Sequence, residues 1–346
     1  MPFLKNTWYA ALWLQDLPED KPFGRVIAGE SIVFWRTVDG TVAANEDVCP
    51  HRRAKLSVGG VRDGKLTCLY HGLGFGGDGK CAVNPHGPVV DSLNIRSYPV
   101  EVQDDMIWVW TGAAELADVA LIPQVLAFTR TLPETGFVRG STYAKASHKL
   151  FEDNILDPGH ADFLHPYLGS GALSRSKRMI EEGENSLKLN MFQANWRTPA
   201  VMVGEFPSPD IMTDQWAEVD WNPNGAMLIR TGATPTGRPE SEGIDTWTAH
   251  IFTAETETTT HYLYASGQTY KTDDASFNEG MRQGLRYAFE AEDLPMVESQ
   301  QANLGDRDLM ESRPALFAID TASVRARRLF DRLVAAENAE KVPESA

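Results

Sequence analysis

Two short stretches of the chain each carry one cysteine and one histidine. Cys49 and His51 stand two residues apart in the first stretch, and Cys68 and His71 stand three apart in the second. Thiolate and imidazole are both ligands of transition metals, and these spacings let each loop bring one sulfur and one nitrogen to the same place. The four residues therefore predict a metal site built from two loops.

Two kinds of metal centre use such a ligand set, namely zinc and a two-iron, two-sulfide cluster. Zinc sites of the Cys₂His₂ kind usually pair cysteine with cysteine and histidine with histidine. Each loop here mixes the two types, which favours a cluster with Cys49 and Cys68 on one iron and His51 and His71 on the other. Two imidazoles in place of thiolates raise the reduction potential into a range of about −150 to +300 mV. The third cysteine, Cys81, is predicted to be a packed thiol.

A second group of possible ligands lies in residues 151–165, FEDNILDPGHADFLH. On a regular helix His160 and His165 would lie about 140° apart around the axis and would not share a face. Pro158 and Gly159 weaken the helix just before His160, which predicts a broken helix that presents both rings to one metal. Two histidines and a carboxylate form the facial triad of non-heme Fe(II) oxygenases, which leaves positions open for dioxygen. Composition alone does not select the carboxylate, and ordinary surface or capping histidines are the alternative.

The stretch CPHRRAKLSVGGVRDGKLTCLYHG, residues 49–72, resembles the Rieske motif, in which C-x-H is followed by C-x-x-H. The flanking stretches NTWYAA, CAVNPHG, SLNIRSYPV and IWVWTG resemble the N-terminal domain of Rieske non-heme iron oxygenases of the vanillate and dicamba O-demethylase type. The resemblance continues to TASVRARRLFDRLV and so covers nearly the whole chain. It implies that the four residues hold a Rieske [2Fe-2S] cluster.

The same resemblance implies a second metal. The pattern D-x-x-H-x-x-x-x-H resembles the family's iron motif, and AEDLPMVESQ resembles the helix that supplies the acid, which falls on Asp293. Fe(II) would then be held by His160, His165 and Asp293. The resemblance gives Asp157 the role of a bridge to the cluster histidine, here His71, of a neighbouring subunit, because the two metals of one chain lie too far apart. A head-to-tail homotrimer is implied.

Asp157 has two further possible roles. A carboxylate three residues before a ligand histidine can accept the distal N–H of that ring. An acid directly before Pro158 can instead cap the start of a helix. Asn154 matches a polar residue that lies near the iron in related enzymes, although Asp153 could fill that supporting role instead.

Two residues are candidates for contact with the substrate. His250, in AHIFTAETET, resembles a substrate-facing histidine of some relatives, and a hydrogen-bonded sheet histidine is the alternative. Arg230, in MLIRTG, is a cation in an apolar strand and would suit a substrate carboxylate. Because strand side chains alternate between faces, an exposed Arg230 is equally compatible with the pattern.

The resemblance implies the terminal oxygenase component of a multicomponent monooxygenase. Its aromatic substrate would be a methoxylated, vanillate-like acid, which O₂ and electrons from NAD(P)H would O-demethylate with release of formaldehyde. The electrons would arrive through a flavin and ferredoxin-type reductase. Two alternatives stay open: hydroxylation of a methyl or ring carbon, and an electron-transfer or binding protein without a working mononuclear iron.

The elements that must position these residues fall into two regions. Residues 1–115 are β-rich, with a hairpin turn predicted at Asp39-Gly40, and form the predicted Rieske domain. Residues 116–346 are the predicted catalytic domain, with helices over SHKLFEDNIL, FNEGMRQGLRYAFEAEDLPMVESQQANL and TASVRARRLFDRLVAAENAEK around a sheet that includes SLKLNMFQANW, AMLIRTGATP and TWTAHIFTAETETTTHYLYAS. We expect an α+β fold, and the resemblance implies a twisted antiparallel sheet flanked by helices, the helix-grip or START-like arrangement.

Composition excludes several classes of partner. A formal net charge of −16 over 346 residues argues against nucleic acid and anionic membranes, which require a surplus of Lys and Arg. No segment approaches the roughly 20 apolar residues that span a bilayer, and the N-terminus lacks a signal-peptide pattern, so a cytoplasmic protein is expected. Three cysteines are also a poor disulfide framework.

Overall fold

The structure of the chain, a computed structural model, describes residues 3–165 and 167–340. The chain divides into two compact units, Met1–Ile122 and Pro123–Ala346. The division falls after residue 122, whereas the composition shift placed it after residue 115. Within the first unit, Trp8 Nε1 donates to the carbonyl oxygen of Asp118 over 2.8 Å, so the segment after residue 115 contacts this unit.

The first unit is built from antiparallel strands. They form three sheets with the strand orders β1-β11-β10, β2-β3-β4-β9 and β5-β6-β7-β8 in its described part. The strands are β1 Trp8–Trp13, β2 Phe23–Ile27, β3 Glu30–Arg36, β4 Val42–Glu46, β5 Gly60–Arg62, β6 Lys65–Thr67, β7 Gly74–Phe75, β8 Cys81–Val83, β9 Ser97–Tyr98, β10 Val100–Gln103 and β11 Met106–Trp110.

The hairpin predicted at Asp39-Gly40 is confirmed. Strands β3 and β4 pair from Arg36↔Val42 onward. Gly40 has φ +81°, a backbone conformation that glycine adopts without steric cost and that a tight turn between two strands requires.

Strand β3 is buried on both faces, which explains its unbroken apolar run. Ile32 and Phe34 belong to one core cluster. Val33 and Trp35 belong to another, which also contains the buried Cys49 and Cys68. Alternation along a strand sends successive side chains to opposite faces. One strand therefore supports both the main core of the unit and the base of the two cysteine loops.

The second unit contains a seven-stranded antiparallel sheet with five α-helices among its described residues. The strand order is β12-β18-β17-β16-β15-β14-β13, so all but one of the sheet neighbours are consecutive in sequence. The strands are β12 Phe137–Ala144, β13 Lys177–Glu182, β14 Leu187–Arg197, β15 Met212–Trp221, β16 Ala226–Pro235, β17 Ile244–Thr256 and β18 Thr259–Gln268, and the helices are α1 His148–Leu156, α2 Ala161–Leu164, α3 Ala275–Tyr287, α4 Leu294–Leu304 and α5 Thr321–Glu340.

The predicted helices and strands of the second unit are present, with one informative irregularity. The long helix predicted over 277–304 consists of α3 and α4 joined by a π-helical segment, Ala288–Asp293. A single π turn inside a helix is frequently found at functional sites. The C-terminal helix is confirmed as α5, although its last predicted residue, Lys341, lies outside the described residues. No helix among the described residues is long and apolar enough to cross a bilayer.

A buried ion cluster attaches helix α5 to helix α1. Arg327 on α5 donates through Nη2 to Asp153 Oδ2 over 2.6 Å. It also donates through Nη1 to Asp308 Oδ2 over 2.9 Å. The Arg327 side chain is only 8% exposed and lies between the two carboxylates, and Lys149 Nζ lies 3.9 Å from Asp308 as a second, more distant cation. This cluster fixes the helix that carries Asn154.

We expect Arg327→Met to lower the free energy of unfolding of the second unit by about 3–5 kcal/mol, because it removes the cation that pairs with the Asp153 carboxylate. The matched control is Arg332→Met on the same helix, since Arg332 is 59% exposed and pairs with Glu182 at the surface. That change should cost about 0–1 kcal/mol. Urea unfolding monitored by circular dichroism compares the two variants, and equal midpoints would contradict the prediction.

Candidate cluster and iron sites

The two cysteine loops of the first unit have the same backbone arrangement. In the first, Cys49 N donates to Ala54 O and Arg53 N donates to Cys49 O, over 2.8 and 3.0 Å. In the second, Cys68 N donates to Leu73 O and Gly72 N donates to Cys68 O, both over 2.8 Å. The residue four positions after each cysteine has a positive φ, 58° in the first loop and 80° in the second. Two similar turns therefore present their side chains to one place.

The two ligand types lie at different depths. Cys49 and Cys68 are 2% and 3% exposed, and neither is in a disulfide. The His51 and His71 rings lie with their centroids 4.4 Å apart, on the more accessible side. Burial raises the pKa of the Cys49 thiol, so a thiolate there requires a neighbouring positive charge such as iron.

Buried sulfur on one side and accessible imidazole on the other fit a [2Fe-2S] cluster. A single zinc ion would instead require the four donor atoms around one centre, and among the described residues no such tight four-donor group occurs in this unit. Cys81, on β8, is buried in the same core, and its Sγ donates to Val83 O over 3.5 Å. Sequence reasoning missed His86, whose Nε2 lies 3.0 Å from His71 O.

The second site brings together the three residues that the sequence assigned to iron. The ligand atoms of His160, His165 and Asp293 all lie within 4.8 Å of one another. Asp293 Oδ1 is 3.2 Å from His165 Nε2 and 3.5 Å from His160 Nε2. Burial raises the pKa of Asp293, but the hydrogen bonds from the two imidazoles outweigh it and hold that pKa well below its usual range.

The three ligands converge because the backbone is irregular in both of the segments that carry them. Helix α1 ends at Leu156, and a 3₁₀ turn over Pro158–His160 precedes α2, as the Pro158-Gly159 pair predicted. Asp293 ends the π-helical segment between α3 and α4. A π turn rotates the side chains that follow it relative to an unbroken α-helix. The site therefore depends on one broken helix and one widened helix.

His165 is held from both ring nitrogens by two consecutive acids. Its Nδ1 is 2.7 Å from Glu292 Oε2, while its Nε2 contacts Asp293. Tyr167 donates its hydroxyl to the same Glu292 oxygen over 2.8 Å. A carboxylate on the distal nitrogen orients a metal-binding imidazole and increases its basicity. Sequence reasoning missed Glu292 and Tyr167, although the adjacent acids Glu292-Asp293 were a visible signal.

Asp157 does not play the supporting role toward His160 that the spacing allowed. His160 Nδ1 lies 2.6 Å from the backbone oxygen of Asp157, and the carboxylate points elsewhere. That carboxylate accepts from Gly159 N over 3.2 Å, which is the capping alternative, and lies 3.8 Å from Arg178. The reason is local, because an acid directly before a Pro-initiated turn reaches the N–H two residues on. Burial raises the pKa of Asp157.

The structure also separates Asn154 from Asp153. Asn154 Nδ2 donates to Asp293 Oδ1 over 3.2 Å, so this side chain contacts the iron site. Asp153, the preceding residue on helix α1, is instead in the ion cluster with Arg327. Adjacent helical residues point about 100° apart, which is why only one of the two reaches the site.

A cavity of about 210 Å³ opens beside the three ligands. The face of the sheet that lines it is set by strand register, since Ile229 pairs with Thr248 and Thr231 with Thr246. The remaining walls are mainly apolar. Among the lining residues are Ile155, Leu168, Leu173, Met191, Val201, Met202, Met281, Leu285 and Phe289.

His250 lines this cavity, as the resemblance implied. Its Nδ1 is 2.7 Å from the Tyr262 hydroxyl, and the ring is 3% exposed. Burial lowers the pKa of His250 to about 3, so the ring is neutral at pH 7. Burial also raises the pKa of Tyr262 well above its usual value, so this hydroxyl is protonated and able to donate. The pair therefore supplies a neutral polar group in an apolar wall.

Arg230 does not face the cavity, which corrects its candidate role. On strand β16 the neighbours Ile229 and Thr231 line the cavity, and alternation directs Arg230 to the opposite face. There it donates to Asp245 over 2.8 Å and pairs with Glu218 across the strand. The guanidinium is fully engaged by acids and is not available to a bound carboxylate.

Two family models match most of the chain. The Rieske [2Fe-2S] domain matches residues 7–99. The vanillate O-demethylase oxygenase C-terminal domain matches residues 144–336.

Individual proteins resemble the chain over nearly its full length. The oxygenase component of dicamba O-demethylase from Stenotrophomonas maltophilia is 35% identical over 337 residues, which cover 96% of this chain and 98% of that protein. A vanillate O-demethylase oxygenase subunit from a Pseudomonas strain is 34% identical over 356 residues, with coverage of 97% and 96%. A crystal structure of dicamba monooxygenase bound to 3,6-dichlorosalicylic acid superposes with a TM-score of 0.89 at 33% identity, covering 98% of this chain and 100% of that one. The same enzyme with non-heme iron and dicamba gives 0.81 at 32% identity, with the same coverage.

Fold and donor sets together define a Rieske non-heme iron monooxygenase, with a [2Fe-2S] cluster and a mononuclear iron as its cofactors. Within that class, the chain belongs to the vanillate O-demethylase oxygenase family, whose members include the oxygenase component of dicamba O-demethylase. An oxygenase component works with a separate reductase and a small-molecule substrate.

We expect Glu292→Gln to weaken iron binding by about 10- to 100-fold, because it removes the charge that orients His165 while keeping the side chain's size. Glu290→Gln is the matched control, since Glu290 lies on the same π-helical segment and pairs with Arg286 at the surface. Mononuclear iron is measured as total iron minus cluster iron after dialysis against graded chelator concentrations. Equal iron retention in the two variants would contradict the role of Glu292.

Proposed function

We propose that the chain is the terminal oxygenase of a multicomponent monooxygenase that O-demethylates a methoxylated aromatic compound. The observation that carries the proposal is the convergence of His160, His165 and Asp293 at the wall of an apolar cavity of about 210 Å³. An engineered apolar cavity of about 150 Å³ accommodates benzene, so this one accommodates a single substituted ring. The relatives named for O-demethylation of dicamba and vanillate support the same reaction.

The balanced reaction uses one dioxygen, two electrons and two protons per methyl aryl ether. When bound, the cluster supplies the electrons singly and the iron activates dioxygen. Oxidation of the methoxy carbon gives a hemiacetal, which collapses to a phenol and formaldehyde, and the second oxygen atom leaves as water.

The residues of the chain perform three tasks in this reaction. His160, His165 and Asp293 would hold iron on one side and leave the side toward the cavity open. Asn154 donates to Asp293 Oδ1 and so fixes the carboxylate against rotation. The apolar walls exclude water from the reacting methoxy group, which limits unproductive side reactions.

Electron supply follows from the depth of the cluster ligands. His51 and His71 form the accessible side, so we infer that electrons enter and leave through the imidazoles. The partner is a flavin and ferredoxin-type reductase that oxidises NADH or NADPH.

We propose a head-to-tail homotrimer in which Asp157 bridges to His71 of the neighbouring subunit. The support is that His160 Nδ1 bonds to the backbone oxygen of Asp157 and not to its carboxylate, and that Asp157 lines a second cavity together with Asn154 and Asp320.

We expect Asp157→Asn to retain both metals and to lose most of the turnover, by about 100-fold or more, because transfer between cluster and iron would be impaired. The control is Asp220→Asn, a surface acid that pairs with Lys188. Reoxidation of the pre-reduced cluster in a single turnover with substrate and O₂ separates slow electron transfer from slow chemistry. Unchanged reoxidation in Asp157→Asn would remove the bridge role.

Formaldehyde release tests the function itself. Purified protein is supplied with a flavin and ferredoxin-type reductase, NADH and a panel of methoxylated aromatic compounds, and the products are identified by mass. We expect formaldehyde in a 1:1 ratio with a phenol. An oxygenated product without formaldehyde would instead indicate hydroxylation of a methyl or ring carbon.

Metal analysis tests the electron-carrier alternative separately. We expect about three irons and two acid-labile sulfides per chain, two irons from the cluster and one from the mononuclear site. About two irons per chain would indicate an electron carrier without a working mononuclear iron.

A further inference from the structure

A short loop of the second unit closes one side of the cavity beside the iron ligands. It comprises residues 167–176, between helix α2 and strand β13, and is called the wall loop here. Its members that line the cavity are Leu168, Ser170, Ala172, Leu173 and Ser176. The position of this loop therefore determines how much space a substrate ring has beside the ligands.

The wall loop is attached on one side to the sheet. The backbone oxygen of Ser170 accepts from Trp196 Nε1 over 2.8 Å and from Arg197 Nε over 2.6 Å. Ser170 Oγ donates to Gln215 Oε1 over 3.0 Å. Strands β14 and β15 thus hold the loop at Ser170.

On its other side the wall loop is attached to the iron-binding segment through the carboxylate of Asp162. Oδ1 accepts from Gly171 N over 2.8 Å. Oδ2 accepts from Ser174 N over 2.8 Å and also from the Ser174 hydroxyl. Hydrogen bonds to a carboxylate are roughly twice as strong as those between neutral groups. Because Asp162 is on helix α2, between His160 and His165, one side chain connects the cavity wall to two of the three iron ligands.

Close backbone packing supports the same attachment. Leu168 N and Gly169 N both donate to the backbone oxygen of His165 over 2.9 Å. A Cβ atom added at Gly169 would lie 2.5 Å from Asp162 Cα and 2.6 Å from Ala161 O, closer than side chains tolerate. Since packed groups of this kind cannot be compressed, a shift of the wall loop acts directly on helix α2.

We propose, on the basis of the oxygenase function above, that Asp162 is a positioning residue that holds the wall of the substrate cavity in a fixed place relative to the iron ligands. Asp162 belongs neither to the ligand set nor to the described lining of the cavity, and it acts through the wall loop. With the loop fixed, the reacting carbon of a bound ring is held at the distance that oxidation requires. A displacement of about 1 Å at a reacting centre can cost about 100-fold in rate.

A displaced substrate changes what dioxygen becomes. When no oxidisable carbon is in reach, two electrons and two protons convert one dioxygen into one hydrogen peroxide, and the substrate is left unchanged. The electrons come from the same reductase as in the productive reaction. Asp162 therefore sets the fraction of the consumed dioxygen that appears as oxidised product.

The first test removes the hydrogen bonds of the carboxylate step by step. Ser174→Ala removes only the bond from the hydroxyl. Asp162→Asn keeps one accepting oxygen and presents an N–H to one of the two backbone donors, and Asp162→Ala removes both acceptors. The probe is the member of the methoxylated panel that gives the most product with the wild-type protein.

We expect the ratio of oxidised product, of any kind, to dioxygen consumed to fall progressively along this series. The ratio should be at least about threefold lower in Asp162→Ala, and KM for the probe about tenfold higher. Hydrogen peroxide should account for the missing product. Mononuclear iron per chain should stay equal, because none of these changes alters a ligand.

Asp214→Asn is the matched control. Asp214 also accepts from two backbone donors, Asn195 N over 2.8 Å and Gly237 N over 3.1 Å. Neither Asn195 nor Gly237 belongs to the described lining of the cavity. This control should lose a similar amount of stability and keep the wild-type ratio of product to dioxygen.

Hydrogen exchange tests the attachment without turnover. In the purified protein with both metals, Asp162→Asn should accelerate exchange of the Gly171 and Ser174 amides by at least about tenfold, because the wall loop opens more often. Gly169→Ala displaces the loop sterically and leaves the Asp162 carboxylate unchanged, so it should accelerate the same amides and lower the same ratio. Amides of helix α4 should keep their wild-type protection in both variants.

The outcomes separate this inference from the proposed function. Unchanged exchange in Asp162→Asn would overturn the attachment, and faster exchange with an unchanged ratio would overturn the positioning role. An equal fall of the ratio in Asp214→Asn, or loss of iron from the Asp162 variants, would also overturn it, because the cause would then be general destabilisation. A product other than a phenol with formaldehyde would overturn O-demethylation alone, since the ratio counts every product. If the wild-type protein oxidises no member of the panel, the proposed function fails and the exchange rates alone decide the role of Asp162.

Discussion

The contact of His165 with two consecutive acids is the interaction on which the catalytic unit depends. Glu292 holds Nδ1 and Asp293 holds Nε2, so one imidazole fixes the distance between the segment after helix α1 and the π-helical segment before α4. Two adjacent residues reach both sides of one ring because the helix is widened at this point. Asn154 and Tyr167 then hydrogen-bond to these two acids, and the ligand set is held before any metal binds.

The rest of the site follows from keeping charge at one end of the cavity. Carboxylates and imidazoles gather at the iron end, while the sheet offers threonine, isoleucine and the neutral His250. Strand alternation separates the two environments, because the face of β16 that carries Ile229 and Thr231 cannot also carry Arg230. The arginine stabilises the sheet through Asp245 and Glu218 on the outer face. The same geometric rule thus makes the cavity apolar and the outer face polar.

The first unit also separates a buried side from an accessible side, and it does so with one doubly buried strand and two turns. Its strand β3 is buried on both faces, so a single strand carries the main core on one side and the base of the cysteine loops on the other. Two turns with matching backbone hydrogen bonds then place the two cysteine sulfurs in the buried core and the two imidazoles on the accessible side. A cluster held this way has its thiolates in a dry core and its histidines within reach of an electron partner.

Much of this was determined by the sequence. The spacing of Cys49, His51, Cys68 and His71, the helix break at Pro158-Gly159 and the alternation of the strands are local properties, because each depends on neighbouring residues and backbone stereochemistry. Tertiary structure alone decided the rest. It showed that Glu292 supports His165 and that Arg230 faces outward. These facts join residues more than a hundred positions apart, or depend on which face of a strand meets the helices, and a linear pattern carries neither kind of information.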